Sequence, residues 1–169
     1  SEVRDRFVES TDTLVALLES LEPDDWTLLA EAPPGHVSIS AVAHHALWDS
    51  WVHERDILLP LAADPIVEAD EVIACLRYAA ALGPALARSN GIEHRGRLAL
   101  HATEPEADVL VEIGDHVLVT DVSADADLTL TGPALDLVDM LSIRRPVDQV
   151  IQADVAWMLE GLSKVFDTH

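Results

Sequence analysis

The chain has few cysteines, few basic residues and no long apolar run. Cys75 is the one cysteine in 169 residues, which excludes an intramolecular disulfide and gives no sign of a secreted disulfide scaffold. Lys and Arg number 10 against 31 Asp and Glu, so the formal net charge is −21. A charge of this sign repels phosphate backbones and anionic bilayers, and we therefore expect neither nucleic-acid nor membrane partners.

The sequence also lacks the common targeting and nucleotide-binding signals. No uninterrupted apolar stretch reaches the ~18–20 residues that cross a bilayer, and no signal peptide opens the chain, so we expect a cytoplasmic protein. There is no Walker-type loop, dinucleotide fingerprint, nucleophile elbow or cysteine-based metal motif. Apolar residues make up 49 % of the chain, which is enough to build a folded core.

The N-terminal half has the apolar spacing of amphipathic helices. One helix is predicted over residues 2–21, and a loop rich in turn formers follows from Pro23. Ser38 or Ser40 can cap a second helix that runs to about Leu59, because a proline comes next.

A third helical pattern begins after Asp64-Pro65 and covers Glu68 to Leu82. We expect Gly83-Pro84 to break or kink this helix and Asn90-Gly91 to end it. Three helices with short links predict an antiparallel bundle over residues 1–92.

After Gly91 the apolar spacing changes from about 3.6 to 2, which predicts β-strands. The predicted elements are strands over 97–102, 109–113, 116–121 and 128–131, a hairpin turn at Gly114-Asp115, a helix from Gly132-Pro133 to Ser142, an edge strand over 147–151, and a last helix that buries Val155, Met158, Leu159, Leu162, Val165 and Phe166. The predicted fold class is therefore α+β: an N-terminal helical bundle, then a small α+β domain with an antiparallel sheet over residues 93–169.

The second predicted helix carries a candidate metal site. His45, Asp49 and His53 follow one another at four-residue steps, and on a helix their side chains fall within an arc of roughly 80° that also includes Asp56. Two imidazoles and a carboxylate suit zinc or a similar divalent ion. Asp56 can instead orient a ligating histidine through its second ring nitrogen.

A plainer interpretation of these residues stays open. The histidines can be half-buried bundle residues, and Asp49 can pair with Arg55 or with a histidine. Trp48, Trp51 and Cys75 are interpreted as packing residues.

Arg144-Arg145 is the one paired basic site in an acidic C-terminal half. A solvated helix end explains it, since cations favour the negative end of the helix dipole. The alternative is that one of these arginines binds the carboxylate of a substrate.

Residues 46–56 resemble the metal-binding helix of the mycothiol-dependent maleylpyruvate isomerase family, which has a DinB-like bundle. In that helix an acidic ligand is followed after three residues by a histidine and shortly afterwards by Asp, and Asp49, His53 and Asp56 match this pattern. Residues 126–137, running on to Arg144-Arg145, resemble the sterol-carrier-like C-terminal domain of the same family.

The resemblance implies an enzyme. A divalent metal, usually zinc, would bind the thiol of mycothiol or another low-molecular-weight thiol, and the thiolate would attack a small unsaturated carbonyl substrate in an isomerase or S-transferase reaction. Arg144 or Arg145 would hold the substrate carboxylate. A homodimer is left open.

The early family helix with its Pro-Gly-Trp and ligand histidine has no counterpart here. Either the chain is an N-terminally incomplete member, or His45 substitutes, or the site is inactive. The alternative functions are a non-catalytic small-molecule or lipid binding module of sterol-carrier type, and an accessory protein that keeps the bundle as a scaffold.

Overall fold

The computed structural model describes residues 2–32, 35–121 and 124–166, and the chain has an α+β fold with five α-helices in this part. The chain divides into two compact units, Ser1–Ala43 and His44–His169. No helix among the described residues is long and apolar enough to cross a membrane.

The first unit contains helix α1 (Glu2–Glu19), strands β1 (Leu29–Ala32) and β2 (Gly35–Ser38), and the start of helix α2 (Ile39–Leu58). The helix predicted over 2–21 is confirmed. The predicted loop instead contains an antiparallel hairpin in which Leu29 faces Ser38. The two prolines of this loop between β1 and β2, at positions 33 and 34, lie outside the described residues.

The cap predicted for the second helix is confirmed at Ser38. Its hydroxyl accepts a hydrogen bond from the Ala41 N–H at 3.2 Å, which satisfies one of the free donors in the first turn of α2.

The second unit is built on a four-stranded sheet. Its strands are β3 (Gly96–Thr103), β4 (Glu106–Ile113), β5 (Val117–Thr120) and β6 (Leu128–Gly132), in the order β5-β4-β3-β6. The predicted antiparallel sheet is wrong in one pairing, because β6 runs parallel to β3. The connection after β5 carries the chain to the far edge of the sheet, where β6 enters in the direction of β3.

One face of this sheet is the core of the unit. Leu98, Leu100, Val111 and Leu130 alternate along their strands and are fully buried. Helix α3 (Ala69–Ser89) packs against strands β4 and β5 and against helices α4 (Ala134–Leu141) and α5 (Trp157–Phe166).

Helix α3 differs from its prediction at the proline. It begins at Ala69, one residue after the predicted Glu68, but it continues through Pro84 without a break. Next to this proline, α5 lies so close that a Cβ on Gly161 would collide with the Gly83 carbonyl. Close packing of α5 therefore accompanies the continuous helix at the point where proline removes a hydrogen bond.

The C-terminal elements follow the prediction except for one strand. Residues 147–151 are irregular rather than an edge strand. Met158 and Leu162 are buried in α5 as expected, whereas Val165 is exposed, and the side chain of Phe166 lies outside the described residues.

Along the chain, the boundary between the compact units falls between Ala43 and His44, whereas the sequence predicted a domain boundary at residue 92. The reason lies in α3, because the apolar face of this helix is buried against the sheet and its two following helices. A change of apolar spacing marks a change of secondary structure, which here occurs inside one packed unit.

Candidate functional site

The candidate site lies on the part of α2 that belongs to the second unit. Trp48, Trp51 and Val52 are buried and fix this part of the helix to the core, which confirms the packing interpretation of both tryptophans. Asp49 and His53 lie one turn apart on a neighbouring face and remain accessible, with His53 61 % exposed.

His53 lies between two carboxylates. Its Nε2 is 3.5 Å from Asp49 Oδ1, and its Nδ1 is 3.5 Å from Asp56 Oδ2. Both separations are longer than a good N–H···O hydrogen bond. Two donors bound to one tetrahedral ion at ~2.1 Å would be about 3.4 Å apart, so the spacing of Asp49 and His53 is compatible with joint ligation.

His45 does not join this pair. It precedes His53 by eight residues, which is about 12 Å along a helix and too far for two imidazoles to converge easily on one ion. Its Nδ1 lies 2.8 Å from the Tyr78 hydroxyl, and its ring lies against Trp48 and Tyr78. The described part of the chain contains no group of three or more His, Cys, Asp or Glu side chains arranged to hold a metal, so the predicted set of His45, Asp49 and His53 is not assembled.

Arg144 reaches the same face of α2 from the turn after α4. Its Nη2 is 2.6 Å from Asp56 Oδ2 and its Nε is 3.3 Å from Asp56 Oδ1. This hydrogen bonding is the main reason why the pKa of Asp56 lies below its ordinary value. Asp56 thus links the arginine to His53.

Ser142 holds the turn that presents Arg144. The Ser142 carbonyl accepts a 2.9 Å hydrogen bond from Arg144 Nη1, and the Ser142 hydroxyl accepts one of 2.9 Å from Trp48 Nε1. Ser142 is fully buried, and Ile143 has a φ of 55°, in the left-handed region. The turn is therefore tied to α2 through Trp48 as well as through Asp56.

Arg145 has different partners. Its Nη1 is 2.6 Å from Asp136 Oδ1 on α4, and its Nη2 is 4.0 Å from Asp148 Oδ2. The structure therefore separates the two arginines of the predicted pair, and Arg144 is the one that belongs with Asp49, His53 and Asp56.

Comparison with protein-family models, with curated proteins and with solved structures finds no match for this chain. Its function therefore has to be inferred from the side chains of the site.

Three residues of the site were not identified from the sequence. Tyr78 and Ser142 lie 33 and 94 residues from the α2 side chains that they contact, and neither belongs to a local motif. Burial and the nearby Asp49 carboxylate raise the pKa of Tyr78 to about 12, so its hydroxyl stays protonated. The third is Arg55, which the sequence offered only as a partner for Asp49 and whose guanidinium stacks 3.6 Å from the Trp51 ring centre.

Arg55 is almost fully buried beneath the exposed face of α2. Its Nη1 and the Trp51 Nε1 have no hydrogen-bond partner among the described residues. Burial lowers the pKa of Arg55, and burial likewise raises the pKa of Asp139, whose carboxyl is partly compensated by the charge of Arg55. This buried stack of Arg55 on Trp51 lies on the inner side of α2, opposite the exposed candidate site.

Cys75 is excluded as a nucleophile of this unit. The side chain is fully buried in α3, and burial raises the pKa of its thiol to about 12. A thiol with that pKa supplies almost no thiolate near neutral pH, which agrees with the predicted packing role.

Proposed function

We propose that this chain is a divalent-metal-dependent, thiol-using isomerase or S-transferase related to the mycothiol-dependent maleylpyruvate isomerases, with a DinB-like helical part and a sterol-carrier-like C-terminal part. The observation that carries the proposal is the row of Asp49, His53 and Asp56 on the accessible face of α2, with Arg144 of the turn after α4 bound to Asp56. It supplies an acidic donor, an imidazole donor, an orienting carboxylate and a cation.

The donor set fits a metal in part. Asp49 Oδ1 and His53 Nε2 have the types and spacing of two ligands of one zinc-like ion. Among the described residues, no third His, Cys, Asp or Glu side chain completes a metal site with these two. A bound divalent ion would lower the pKa of a thiol ligand and so favour the thiolate near neutral pH.

Asp56 is proposed to set the tautomer of His53. As an acceptor beside Nδ1, it favours the proton on that nitrogen and leaves the Nε2 lone pair directed towards Asp49. Arg144 lowers the pKa of Asp56 and so keeps its carboxylate ionised as an acceptor beside Nδ1.

Arg144 is proposed to bind the carboxylate of a small unsaturated substrate. Its three hydrogen bonds to Asp56 and Ser142 leave two of the five guanidinium N–H groups for a ligand. Because the guanidinium is held at both edges, those two donors have a fixed direction, which favours the binding of a planar carboxylate.

The alternative of a non-catalytic carrier module has less support in the sheet. A lipid carrier needs an apolar space, whereas the inner faces of β3 and β6 are filled by Leu98, Leu100 and Leu130, and these side chains pack with those of α3 and α4. The exposed ion-pair row on α2 has no role in such a module.

The proposal is tested by Co²⁺ titration of the chain with and without a small thiol, followed by visible absorption. We expect a weak band that increases with thiol and disappears in Asp49→Ala and His53→Ala. His101→Ala is the matched control, because His101 forms a similarly exposed pair with Asp108 on the sheet. The proposal fails if the three variants bind Co²⁺ alike. It also fails if a chelator leaves thiol-dependent isomerase or transferase activity of the wild-type chain unchanged.

A further inference from the structure

Helix α3 ends in a cap that contains the one asparagine of the chain, Asn90. The next residue, Gly91, has a φ of 84°, in the left-handed region that favours glycine. The Gly91 N–H donates a hydrogen bond to the Arg88 carbonyl at 2.9 Å. The Ile92 N–H donates one to the Ala87 carbonyl at 3.0 Å. These two bonds form a Schellman motif, which satisfies carbonyls at the end of the helix.

An Asn-Gly pair can lose its side-chain amide without an enzyme. The backbone nitrogen of Gly91 attacks Cγ of Asn90 and gives up its proton to solvent, while the side-chain nitrogen takes up a proton and leaves as ammonia. Water then opens the cyclic imide to aspartate or isoaspartate, so that the net reaction exchanges ammonia for water. Glycine favours the first step, because no Cβ shields the attacking nitrogen.

The cap holds the reacting atoms apart. The imide ring contains the carbonyl carbon, Cα, Cβ and Cγ of Asn90 and the nitrogen of Gly91, so this nitrogen has to rotate about ψ towards the side chain. In the folded chain Asn90 has a φ of −88° and a ψ of 12°, which directs the Gly91 nitrogen away from Cβ. The N–H of Gly91 is also bound to the Arg88 carbonyl. Ring closure therefore requires the cap to open.

We propose that Asn90 is a deamidation site whose rate is set by local opening of the α3 cap rather than by unfolding of the whole unit. Ser89, Asn90 and Gly91 are exposed, so the end of the helix can open while the core stays packed. Ile92 is partly buried against the core and anchors the chain directly after the cap. This chemistry is independent of the metal site proposed on α2.

The products of the reaction differ from the native cap in charge or in backbone length. Aspartate at position 90 places a negative charge near the negative end of the α3 dipole, which is unfavourable. Isoaspartate adds one atom to the backbone between positions 90 and 91, so the two bonds of the motif cannot both form in the native register. Deamidation therefore weakens the cap that slows it.

The test follows the peptide that contains residue 90 by mass spectrometry while the whole chain is incubated at mildly alkaline pH, either folded or in urea. We expect the folded chain to deamidate about tenfold more slowly than the chain in urea, since the reaction waits for the cap to open. Ile92→Ser removes the apolar anchor, and we expect it to raise the rate in the folded chain about threefold or more.

Ile73→Ser is the matched control. Ile73 is also partly buried against the core and lies on the same helix, but it is about 25 Å from the cap along the helix axis. Its rate of deamidation should stay near that of the wild type. The proposal is overturned if the folded and urea-unfolded chains react equally fast, or if Ile92→Ser reacts no faster than the wild type. Equal acceleration by the two serine variants would also overturn it, because unfolding of the whole unit would then control the rate.

Discussion

Asp56 connects the two parts of the candidate site. One carboxylate accepts hydrogen bonds from Arg144 and lies beside Nδ1 of His53, so the position of the imidazole depends on a residue from the far end of the sequence. Asp56 and Arg144 are both partly exposed, and their ion pair therefore contributes only modestly to the free energy of unfolding. Its proposed importance is the orientation of His53 rather than a contribution to the free energy of unfolding.

We expect Asp56→Asn to lower the free energy of unfolding by about 0.5–1 kcal/mol at pH 7, measured by urea denaturation. The folded-state pKa of Asp56 is below its ordinary value, so its contribution is complete above the unfolded-state pKa of about 3.9. The contribution is lost as the pH falls through the lower folded-state value. The two proteins should therefore converge in stability at strongly acidic pH.

The companion measurement is the ring tautomer of His53, followed by 15N NMR. In Asp56→Asn the tautomer with the proton on Nδ1 should be less populated, because the carboxylate beside that nitrogen is replaced by a neutral amide. Asp136→Asn breaks the similar pair with Arg145 and serves as the control. An equal change of His53 in both variants would show that Asp56 has no special role at this imidazole.

At the scale of elements, periodic segments were predictable and tertiary partners were not. The spacing of His45, Asp49 and His53 correctly placed them on one helix, because a helical face depends only on local geometry. The same spacing could not show that Tyr78 holds His45 or that Arg144 holds Asp56, since these contacts join residues 33 and 88 positions apart. The two four-residue steps place His45 and His53 within one arc of the helix, but they also place these residues about two turns apart along its axis.

The errors in the elements have related causes. The β1–β2 hairpin was missed because its residues are mixed with turn formers, and its pairing depends on cross-strand bonds rather than on apolar alternation. Pro84 was expected to interrupt α3 on local grounds, but the helix continues through it beside the closely packed α5. Local preference is a weak guide where tertiary packing opposes it.

Gly161→Ala tests this close packing. Its Cβ would collide with the Gly83 backbone carbonyl, which cannot move without shifting α3, and we expect a loss of about 2–3 kcal/mol in the free energy of unfolding. Gly132→Ala is the control, because a Cβ there would meet no described atom within 4 Å. If urea denaturation gives the two variants similar stability, the packing of α3 on α5 is looser than the structure indicates.

For the whole molecule, the sequence determines the negative net charge but did not predict where the chain divides into compact units. The apolar spacing changes near residue 92, whereas the compact units meet at residues 43 and 44. Spacing reports which secondary structure forms, whereas packing between residues far apart in sequence decides where one unit ends. Helix α2 therefore begins in one unit and presents its candidate site in the other.

The excess of 31 acidic over 10 basic residues should make the folded chain more stable as salt is added. Self-repulsion at a net charge of −21 destabilises the compact state, and salt screens it over a Debye length that falls from about 30 Å at 0.01 M to about 8 Å at 0.15 M. Salt also weakens surface pairs such as Asp56–Arg144, but exposed pairs contribute little. We therefore expect the Tm of the wild type to rise when NaCl is raised from about 0.01 M to about 0.15 M. The Tm of Asp56→Asn should rise at least as much. A Tm that falls with NaCl in both proteins would mean that ion pairs outweigh the repulsion among the carboxylates.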